Sequence, residues 1–374
     1  MRGFSIGTPS NGINKYNIHL GIMFDMVQRI GQEIHLKQYP SGIPTEEIFE
    51  VVDVNIPEPK EGEFLVKNIW MSVDPYMRGR MRSPKETKRY IDSFQLNKPL
   101  EGGCVGQVLQ SRNNQFKVGD HVLGNFGWRE YWLSSDSQNV MKINPKIAPP
   151  QSFLGALGMP GLTAYVGLVS IGKLNEGKDT VFVSAASGAV GSIACQIAKI
   201  KGCQVVGSAG SEEKVEWLLD DVKVDHAFNY KTVGENNLSS ELKKGCPKGI
   251  DLYFDNVGGK HLEAAIDNMK TFGRIVLCGM ISQYNTTTPP LGPSNLFLAV
   301  TNRIRLEGFI VRDHYDLLNE FHSSMTKWIN EGKIIWKETI AEGLEKAPRA
   351  FIGLFKGENF GKMIVKVSQN ALEE

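Results

Sequence analysis

The sequence predicts an α/β protein with two domains, one rich in short strands and one built on a doubly wound parallel sheet. At 374 residues the chain is long enough to bury two hydrophobic cores. Short alternating strands fill the chain from about Ile34 to Ser152. After residues 159–167 (MPGLTAYVG) strands alternate with helical stretches, which is typical of a parallel sheet covered by helices on both faces.

The strand-rich region is defined by alternation between apolar and polar residues. Residues 49–54 (FEVVDV) and 63–70 (EFLVKNIW) alternate, and the turn 57–62 (PEPKEG) separates them. Residues 103–109 and 116–124 continue the pattern. Many short strands at this spacing predict a small twisted barrel.

The second region contains six predicted strands, which lie at residues 180–183, 204–207, 225–230, 251–256, 273–279 and 305–311. Ligands of such sheets bind beyond the carboxyl ends of the strands. The residues predicted at that edge are Ser184 to Gly188, Ser208, Tyr230, Asn256, Gly279 to Tyr284 and Phe309 to Val311. The tail, with a helix at 316–329 and strands near 338–340 and 362–367, is expected to rejoin the first domain.

These patterns give the domain boundaries. Residues 26–154 form the first part of the strand-rich domain, residues 155–311 the parallel-sheet domain, and residues 312–374 the return. Residues 1–25 differ from the rest in their Gly, Asn, Ser and Ile content and are interpreted as a disordered extension, or as the result of an early start codon. An organelle-targeting segment is the alternative.

The segment 180–192 (TVFVSAASGAVGS) reads as strand, glycine-rich turn and helix, the pattern of a nucleotide-binding turn. Gly188 would let the backbone approach a phosphate, and Gly191 would let the helix pack on the strand, leaving N–H groups at the helix start for a pyrophosphate. Ala185 stands where the usual fingerprint has its first glycine. The turn alone is equally compatible with a simple tight connection.

The next strand indicates which nucleotide is bound. An acidic residue at its end would accept the ribose 2′-hydroxyl of NAD, but residues 204–211 (QVVGSAGS) contain none. Hydroxyl groups and a nearby cation, Lys214, suit the 2′-phosphate of NADP instead. In the alternative interpretation, Ser211 only caps the following helix and Lys214 belongs to a solvated face.

Composition excludes several other classes of protein. The net charge of +1 with interspersed signs gives no basic face for nucleic acid. The five cysteines are scattered, which argues against a disulfide framework and a C-x-x-C metal site and favours a reducing, cytoplasmic location. The sequence has no run of eighteen apolar residues, so no membrane span is expected.

Several motifs together resemble one known family. They are residues 73–81 (VDPYMRGRM), 158–165 (GMPGLTAY), 188–191 (GAVG), 253–259 (YFDNVGG), 278–285 (CGMISQYN) and 357–362 (GENFGK). In this order they resemble the zinc-independent medium-chain reductases that reduce alkenal and prostaglandin double bonds. Residues 246–251 and 303–310 look closest to the NADPH-dependent curcumin reductases of bacteria. The resemblance covers the chain from about Gln28 to Val367.

The resemblance implies a GroES-like catalytic domain made of both chain ends, a Rossmann domain between them, NADPH as cofactor and a homodimer. It also implies cofactor-binding roles, each of which has an ordinary structural alternative when taken alone. The pyrophosphate would lie on Gly188, Ala189, Val190 and Gly191, and the 2′-phosphate on Lys214 with Ser208 nearby. Tyr230 and Asn256 would line the cofactor, whose ribose and nicotinamide would be surrounded by Cys278, Gly279, Met280, Ile281, Ser282, Tyr284, Phe309, Ile310, Val311 and Asn359.

One departure from the family concerns catalysis. Some relatives have a tyrosine eight residues before the position of Phe309, and this chain has Thr301 there, so the role of that tyrosine cannot be transferred. Tyr76 is the first candidate for hydrogen bonding to the substrate oxygen, and Tyr284 is the second. A buried aromatic that supports its loop is the alternative role for Tyr76.

A zinc site is not expected, because Glu101-Gly-Gly-Cys104 stands where zinc-dependent relatives have Gly-His-Glu, and His121 fits a strand better than a ligand set. Without a Lewis acid, NADPH suits an α,β-unsaturated ketone or aldehyde, which accepts hydride at its β-carbon as charge spreads to the carbonyl oxygen. A quinone reductase of the same superfamily and a non-catalytic NADPH-binding module are the alternatives.

Overall fold

The computed structural model describes residues 29–85, 91–135 and 138–369, so the predicted extension of residues 1–25 lies outside the described residues. The strands are β1 Ile30–Leu36, β2 Phe49–Asn55, β3 Phe64–Ser72, β4 Cys104–Ser111, β5 His121–Gly124, β6 Tyr131–Ser134, β7 Met141–Lys142, β8 Thr180–Val183, β9 Gln204–Ala209, β10 His226–Asn229, β11 Ile250–Asp255, β12 Met269–Leu277, β13 Arg305–Gly308, β14 Glu338–Glu342 and β15 Lys362–Lys366. The α-helices are α1 Met77–Arg80, α2 Met159–Val166, α3 Gly191–Ile200, α4 Glu212–Asp220, α5 Tyr230–Val233, α6 Leu238–Gly245, α7 Gly259–Asn268, α8 Phe297–Thr301, α9 Leu318–Asn330 and α10 Ala347–Lys356.

The strand-rich part is a seven-stranded sheet in the order β14-β15-β3-β4-β5-β7, with β6 also pairing with β3. β15 runs antiparallel to β3, and this pairing brings the C-terminal part of the chain into the sheet of the N-terminal part. β1 and β2 form a separate antiparallel pair. Trp128 is fully buried in the core beneath these strands, where its ring stacks on Phe49 with centroids 5.8 Å apart.

The second part is a six-stranded parallel sheet in the order β10-β9-β8-β11-β12-β13. All six strands were predicted from the sequence. The chain starts in the middle of the sheet, moves outward through β9 to β10, and returns through β11 to the other edge. Val181, Phe182 and Val183 are fully buried, as expected for a central strand that helices cover on both faces.

Helices α2 and α9 pack together beside the parallel sheet. The ring of Tyr165 on α2 lies 5.9 Å from that of Phe321 on α9, in an edge-to-face arrangement. After α9 the chain crosses back to the seven-stranded sheet and joins it at β14. The described strands of this antiparallel domain are antiparallel except for the parallel pair β14 and β15. No helix in the described ranges is long and apolar enough to cross a membrane.

Candidate active site

The turn after β8 has the geometry that its glycines predict. A Cβ atom on Gly191 would lie 2.3 Å from the carbonyl oxygen of Ala185, so only glycine lets α3 start this close to the turn. Ala185, at the position of the usual first glycine, has φ +48° in the left-handed region that favours glycine. The N-terminus of the ten-residue α3 follows directly, and such helix starts attract phosphate groups.

A segment of the antiparallel domain lies against this turn. Gly361 forms an isolated parallel bridge with Gly188, and its N–H donates to the carbonyl oxygen of Ser187 at 3.0 Å. Asn359 is half-buried in the same segment, where its side-chain amide donates to the carbonyl of Gly361 at 2.9 Å. The predicted cofactor turn and Asn359 therefore lie together although they are far apart in sequence.

The end of β9 places a predicted cation beside the turn. Ser211 caps α4, since its hydroxyl accepts the N–H of Lys214 at 3.4 Å. The ammonium group of Lys214 reaches across to the carbonyl oxygen of Gly357 at 2.7 Å. Ser208 is fully buried beneath this edge, and its hydroxyl has no hydrogen-bond partner among the described residues.

A second lysine, which the sequence interpretation missed, approaches Lys214. Burial is the main cause that lowers the pKa of Lys214, and the charge of Lys231 is the next. Tyr230 and Lys231 both flank Gly210, because a Cβ atom there would lie 3.4 Å from the Tyr230 hydroxyl and 3.5 Å from Cε of Lys231. The sequence signal was present, since Lys231 directly follows the predicted Tyr230.

A buried network holds the loop after β11. Asp255 accepts hydrogen bonds from the Tyr253 hydroxyl at 2.6 Å and from the N–H groups of Val257 and Gly258 at 2.9 and 2.8 Å. The predicted cofactor residue Asn256 is tied to the neighbouring strand, because its side chain donates to the carbonyl of Ser184 at 2.8 Å. Burial raises the pKa of Asp255. Sequence reasoning missed Asp255, since an acidic residue at a strand end does not reveal its acceptor contacts.

The loop after β12 and the end of β13 line an open pocket of about 460 Å³. Its walls include predicted cofactor residues: Cys278, Gly279, Met280, Phe309 and Ile310. The N–H groups of Cys278 and Gly279 both donate to the Asp255 carbonyl at 3.0 Å, which ties this loop to the end of β11. Burial, followed by the charge of Asp255, raises the pKa of the Cys278 thiol to about 12.

The remaining predicted residues border this loop. Ile281 and Ser282 form a short 3-10 turn, and Ser282 donates to the Val257 carbonyl at 2.6 Å. The hydroxyl of Tyr284 folds back over the loop and accepts the N–H of Met280 at 3.4 Å. Val311 begins the 3-10 segment that follows Ile310. Thr301 lies at the exposed end of α8 and donates to the Leu298 carbonyl.

Tyr76 lies in the turn before α1, in the other domain, and arginines join that turn to the Tyr284 loop. Nε of Arg78 donates to the side-chain oxygen of Asn285 at 3.0 Å, and Arg82 donates to the Tyr284 carbonyl at 3.0 Å. Tyr76 itself is half-buried against the core of the antiparallel domain. The structure therefore draws together the segments that carry both tyrosine candidates.

The residues at the position of the superfamily's zinc site do not fit a metal. Cys104 is fully buried, and burial raises its pKa to about 12, so the thiolate that zinc requires is disfavoured. Glu101 pairs with Arg80 at 2.8 Å. No group of three His, Cys, Asp or Glu side chains within residues 29–85, 91–135 and 138–369 is arranged to hold a metal ion.

The fold and the site define a class, the two-domain oxidoreductases that hold a nicotinamide nucleotide at the carboxyl edge of a parallel sheet. Two family models match the chain, "N-terminal domain of oxidoreductase" over residues 32–143 and "Zinc-binding dehydrogenase" over residues 189–331.

Individual relatives narrow the class. The chain is 47% identical to the 2-alkenal reductase (NADP(+)-dependent) of Nicotiana tabacum, covering 90% of this chain and 98% of that protein. It is 41% identical to the NADPH-dependent curcumin reductase of Escherichia coli, covering 89% and 96%. The crystal structure of CurA in complex with NADPH from Vibrio vulnificus has a TM-score of 0.84 at 42% identity, covering 90% of this chain and 99% of that one.

The chain belongs to the medium-chain dehydrogenase/reductase family, alongside its NADP-dependent alkenal and curcumin reductases. The resemblance stated from the sequence and the predicted fold class are thereby confirmed. The roles of the individual site residues and the domain boundaries stay predictions.

Proposed function

We propose that the protein reduces the carbon–carbon double bond of an α,β-unsaturated ketone or aldehyde with NADPH. The observation that carries the proposal is the pocket between Cys278 and Phe309, which lies at the cofactor edge of the parallel sheet and is bordered by the Tyr284 loop. Relatives named for 2-alkenals and for curcumin support the same chemistry.

The residues at this edge fit NADPH. The turn at Gly188 and the start of α3 would hold the pyrophosphate, and Lys214 with Lys231 would hold the 2′-phosphate. Two lysines that repel each other fit a dianion better than the neutral ribose hydroxyl of NAD. When bound, NADPH supplies the hydride that the β-carbon of the substrate accepts.

The protein's own task is to stabilise the charge that develops on the substrate carbonyl oxygen. A tyrosine hydroxyl aimed at that oxygen donates a hydrogen bond that strengthens as the charge grows, which contributes on the order of 3 kcal/mol for a well-placed donor. Tyr76 is the first candidate, and Arg78 and Arg82 join its turn to the loop that borders the pocket. Tyr284 is the second.

A substrate panel tests the proposal. Purified protein is mixed with NADPH and an enone, an enal, a simple quinone or a saturated aldehyde, and absorbance at the NADPH band is followed. We expect oxidation of NADPH with the enone and the enal, and none with the saturated aldehyde. Turnover of the quinone alone would indicate a quinone reductase. Binding of NADPH without turnover of any substrate would indicate a non-catalytic module.

We also propose that the protein is a homodimer formed through the β13 edge of the parallel sheet. β13 ends the strand order, so one side of its backbone is open to pairing. Phe272, Phe297 and Val300 nearby are each about 70% exposed, an unusual cluster for a surface in contact with water. A second copy meeting this edge about a two-fold axis would cover both features.

Sedimentation of the parent protein and of a Val300→Asp variant tests the dimer. We expect the parent to sediment with twice the chain mass and the variant to shift toward the monomer at micromolar concentration. A monomeric parent at high concentration would contradict the proposal.

We further propose a cytoplasmic location, supported by five cysteines that are all free thiols. A fluorescent fusion in the native cell would test it, and accumulation in an organelle or outside the cell would contradict it.

A further inference from the structure

Two consecutive residues at the start of β15 touch both halves of the candidate active site. Gly361 bonds to the cofactor turn through the carbonyl oxygen of Ser187. Lys362, the next residue, extends in the other direction toward Asp74, which opens the turn carrying Tyr76. The backbone between these contacts is only one peptide unit long.

The side chain of Lys362 is almost completely buried, with 4% of the residue exposed. Its ammonium group lies 3.2 Å from the Asp74 carboxylate and donates to the carbonyl oxygens of Val73 at 3.1 Å and Met363 at 2.8 Å. Asp74 is 6% exposed and also accepts the hydroxyl of Ser72. The buried charges are therefore paired and hydrogen-bonded.

The cluster fixes the turn that presents Tyr76. The carbonyl oxygen of Asp74 accepts the N–H of Met77 at 3.1 Å, so the residue that pairs with Lys362 also closes the turn around Pro75 and Tyr76. Gly361 in turn is held by its N–H bond to Ser187 and passes close to Lys337, where a Cβ atom on Gly361 would lie 1.9 Å from the carbonyl oxygen. Lys362 with its two contacts, Gly361 at the cofactor turn and Asp74 at the Tyr76 turn, therefore forms a link that is held at both ends.

We propose that Lys362 is a positioning residue that sets the distance between the cofactor turn and the Tyr76 turn. Apolar residues would fill the same space, whereas the charged pair with its donors and acceptors ties the turn to one position on β15. Lys362 acts through Asp74 and contacts no reacting atom. The inference rests on the proposed function in one respect, namely that Tyr76 contacts the substrate.

The test compares Lys362→Met, Asp74→Asn and the double variant that carries both changes. Each single variant leaves one buried polar group without its partner and should lower the melting temperature. The double variant removes both charges and should regain most of that loss. We expect its single-turnover rate with an enone to stay at least tenfold below the parent, with NADPH affinity within twofold of the parent.

Hydrogen exchange gives a readout that does not depend on turnover. In the parent, NADPH should slow amide exchange in residues 74–81 through the link, and in the double variant this protection should disappear. Lys366→Met is the matched control, since Lys366 lies on the same strand, pairs distantly with Glu342 at 3.9 Å, and should behave as the parent in every assay.

Each outcome either supports or overturns the positioning role of Lys362. A double variant that regains both stability and the parent rate would overturn the positioning role, as would unchanged protection of residues 74–81. If the parent turns over no enone, the proposed function fails, while the exchange result still decides the role of Lys362. If Tyr76→Phe keeps the parent rate but the double variant does not, the link positions the turn for another of its atoms.

Discussion

The cofactor edge and the Tyr76 turn are built in different ways. At the cofactor edge the contacts that form the turn and cap α4 are local, such as the Ser211 hydroxyl that accepts the Lys214 N–H three residues on, and residues 357–361 add contacts from far along the chain. At the Tyr76 turn they join distant parts of the chain, and Arg78 bonds to Asn285 across 207 positions. We therefore expect the shape of the nucleotide turn to tolerate distant changes better than the alignment of the substrate, which depends on the docking of the two domains.

The largest expected effect is at Gly361, where the two regions meet. Gly361→Ala would place a methyl group 1.9 Å from the carbonyl oxygen of Lys337, so the backbone must move. We expect the variant to lose more than about 3 kcal/mol of unfolding free energy. Gly332→Ala is the matched control, because Gly332 has the same φ of +67° and open space around it. It should lose only about 1–2 kcal/mol.

Urea denaturation of both variants measures the difference. Equal losses would mean that the strained backbone angle alone matters and that the contact between the domains can adjust without cost.

The next effect is on catalysis. Tyr76→Phe keeps the ring and removes only the hydroxyl, so single-turnover hydride transfer should fall by about ten- to a thousandfold while NADPH affinity stays unchanged. Tyr284→Phe, measured in parallel, tests the second candidate. A Tyr76→Phe protein that transfers hydride at the parent rate but melts at lower temperature would assign Tyr76 a packing role.

The same contrast explains what the sequence could and could not predict. All six parallel strands and the turn at Gly188 were predicted, because they depend on apolar patterns and glycine spacing within about thirty residues. Ala185 breaks the motif in sequence but keeps its left-handed geometry, with φ +48°. Local patterns are sufficient for such features.

Contacts between distant residues left no such signal. Lys362 reads as one polar residue at the start of a strand, and only the pairing of β15 with β3 brings it to Asp74. Lys231 directly follows the predicted Tyr230, but its approach to Lys214 depends on how the start of α5 lies against Gly210, after the end of β9. When two side chains come from separate elements, their contact can be predicted only once the fold is known.

A pH effect should appear on the cofactor side. His261 is buried against the ring of Tyr230, 5.1 Å between centroids, and burial lowers its pKa from 6.5 to about 4. The unfolded chain therefore takes up a proton near pH 6.5 that the folded protein takes up only near pH 4. Stability from this residue is complete above pH 6.5 and is lost as pH falls toward 4, by about 3 kcal/mol in total.

His261→Gln should flatten this part of the stability curve. Urea denaturation of parent and variant at pH 7, 5.5 and 4.5 measures it. Parallel curves for the two proteins would mean that His261 takes up its proton at the same pH in the folded and the unfolded chain.

Cofactor selectivity comes next in size. Lys214→Ala should weaken NADPH binding by roughly 1.5–3 kcal/mol and NADH binding much less, because only NADPH carries the 2′-phosphate. Titration of the intrinsic fluorescence with each cofactor measures both constants. Equal losses for the two cofactors would remove Lys214 from the 2′-phosphate site and leave its contact with the Gly357 carbonyl as its role.

The smallest expected effect is at Lys231, which is exposed where Lys214 is half-buried. Water screens an exposed charge, so Lys231→Ala should weaken NADPH binding by only about 1 kcal/mol, and added salt should reduce the difference from the parent. Lys243→Ala, an exposed lysine on α6, is the control and should leave both cofactor affinities unchanged. In the Lys231→Ala protein the pKa of Lys214 should rise, because one cause of its lowering is removed. A loss of affinity that is the same for NADH, or that does not respond to salt, would mean that Lys231 acts by holding Tyr230 and α5 in place and not through its charge.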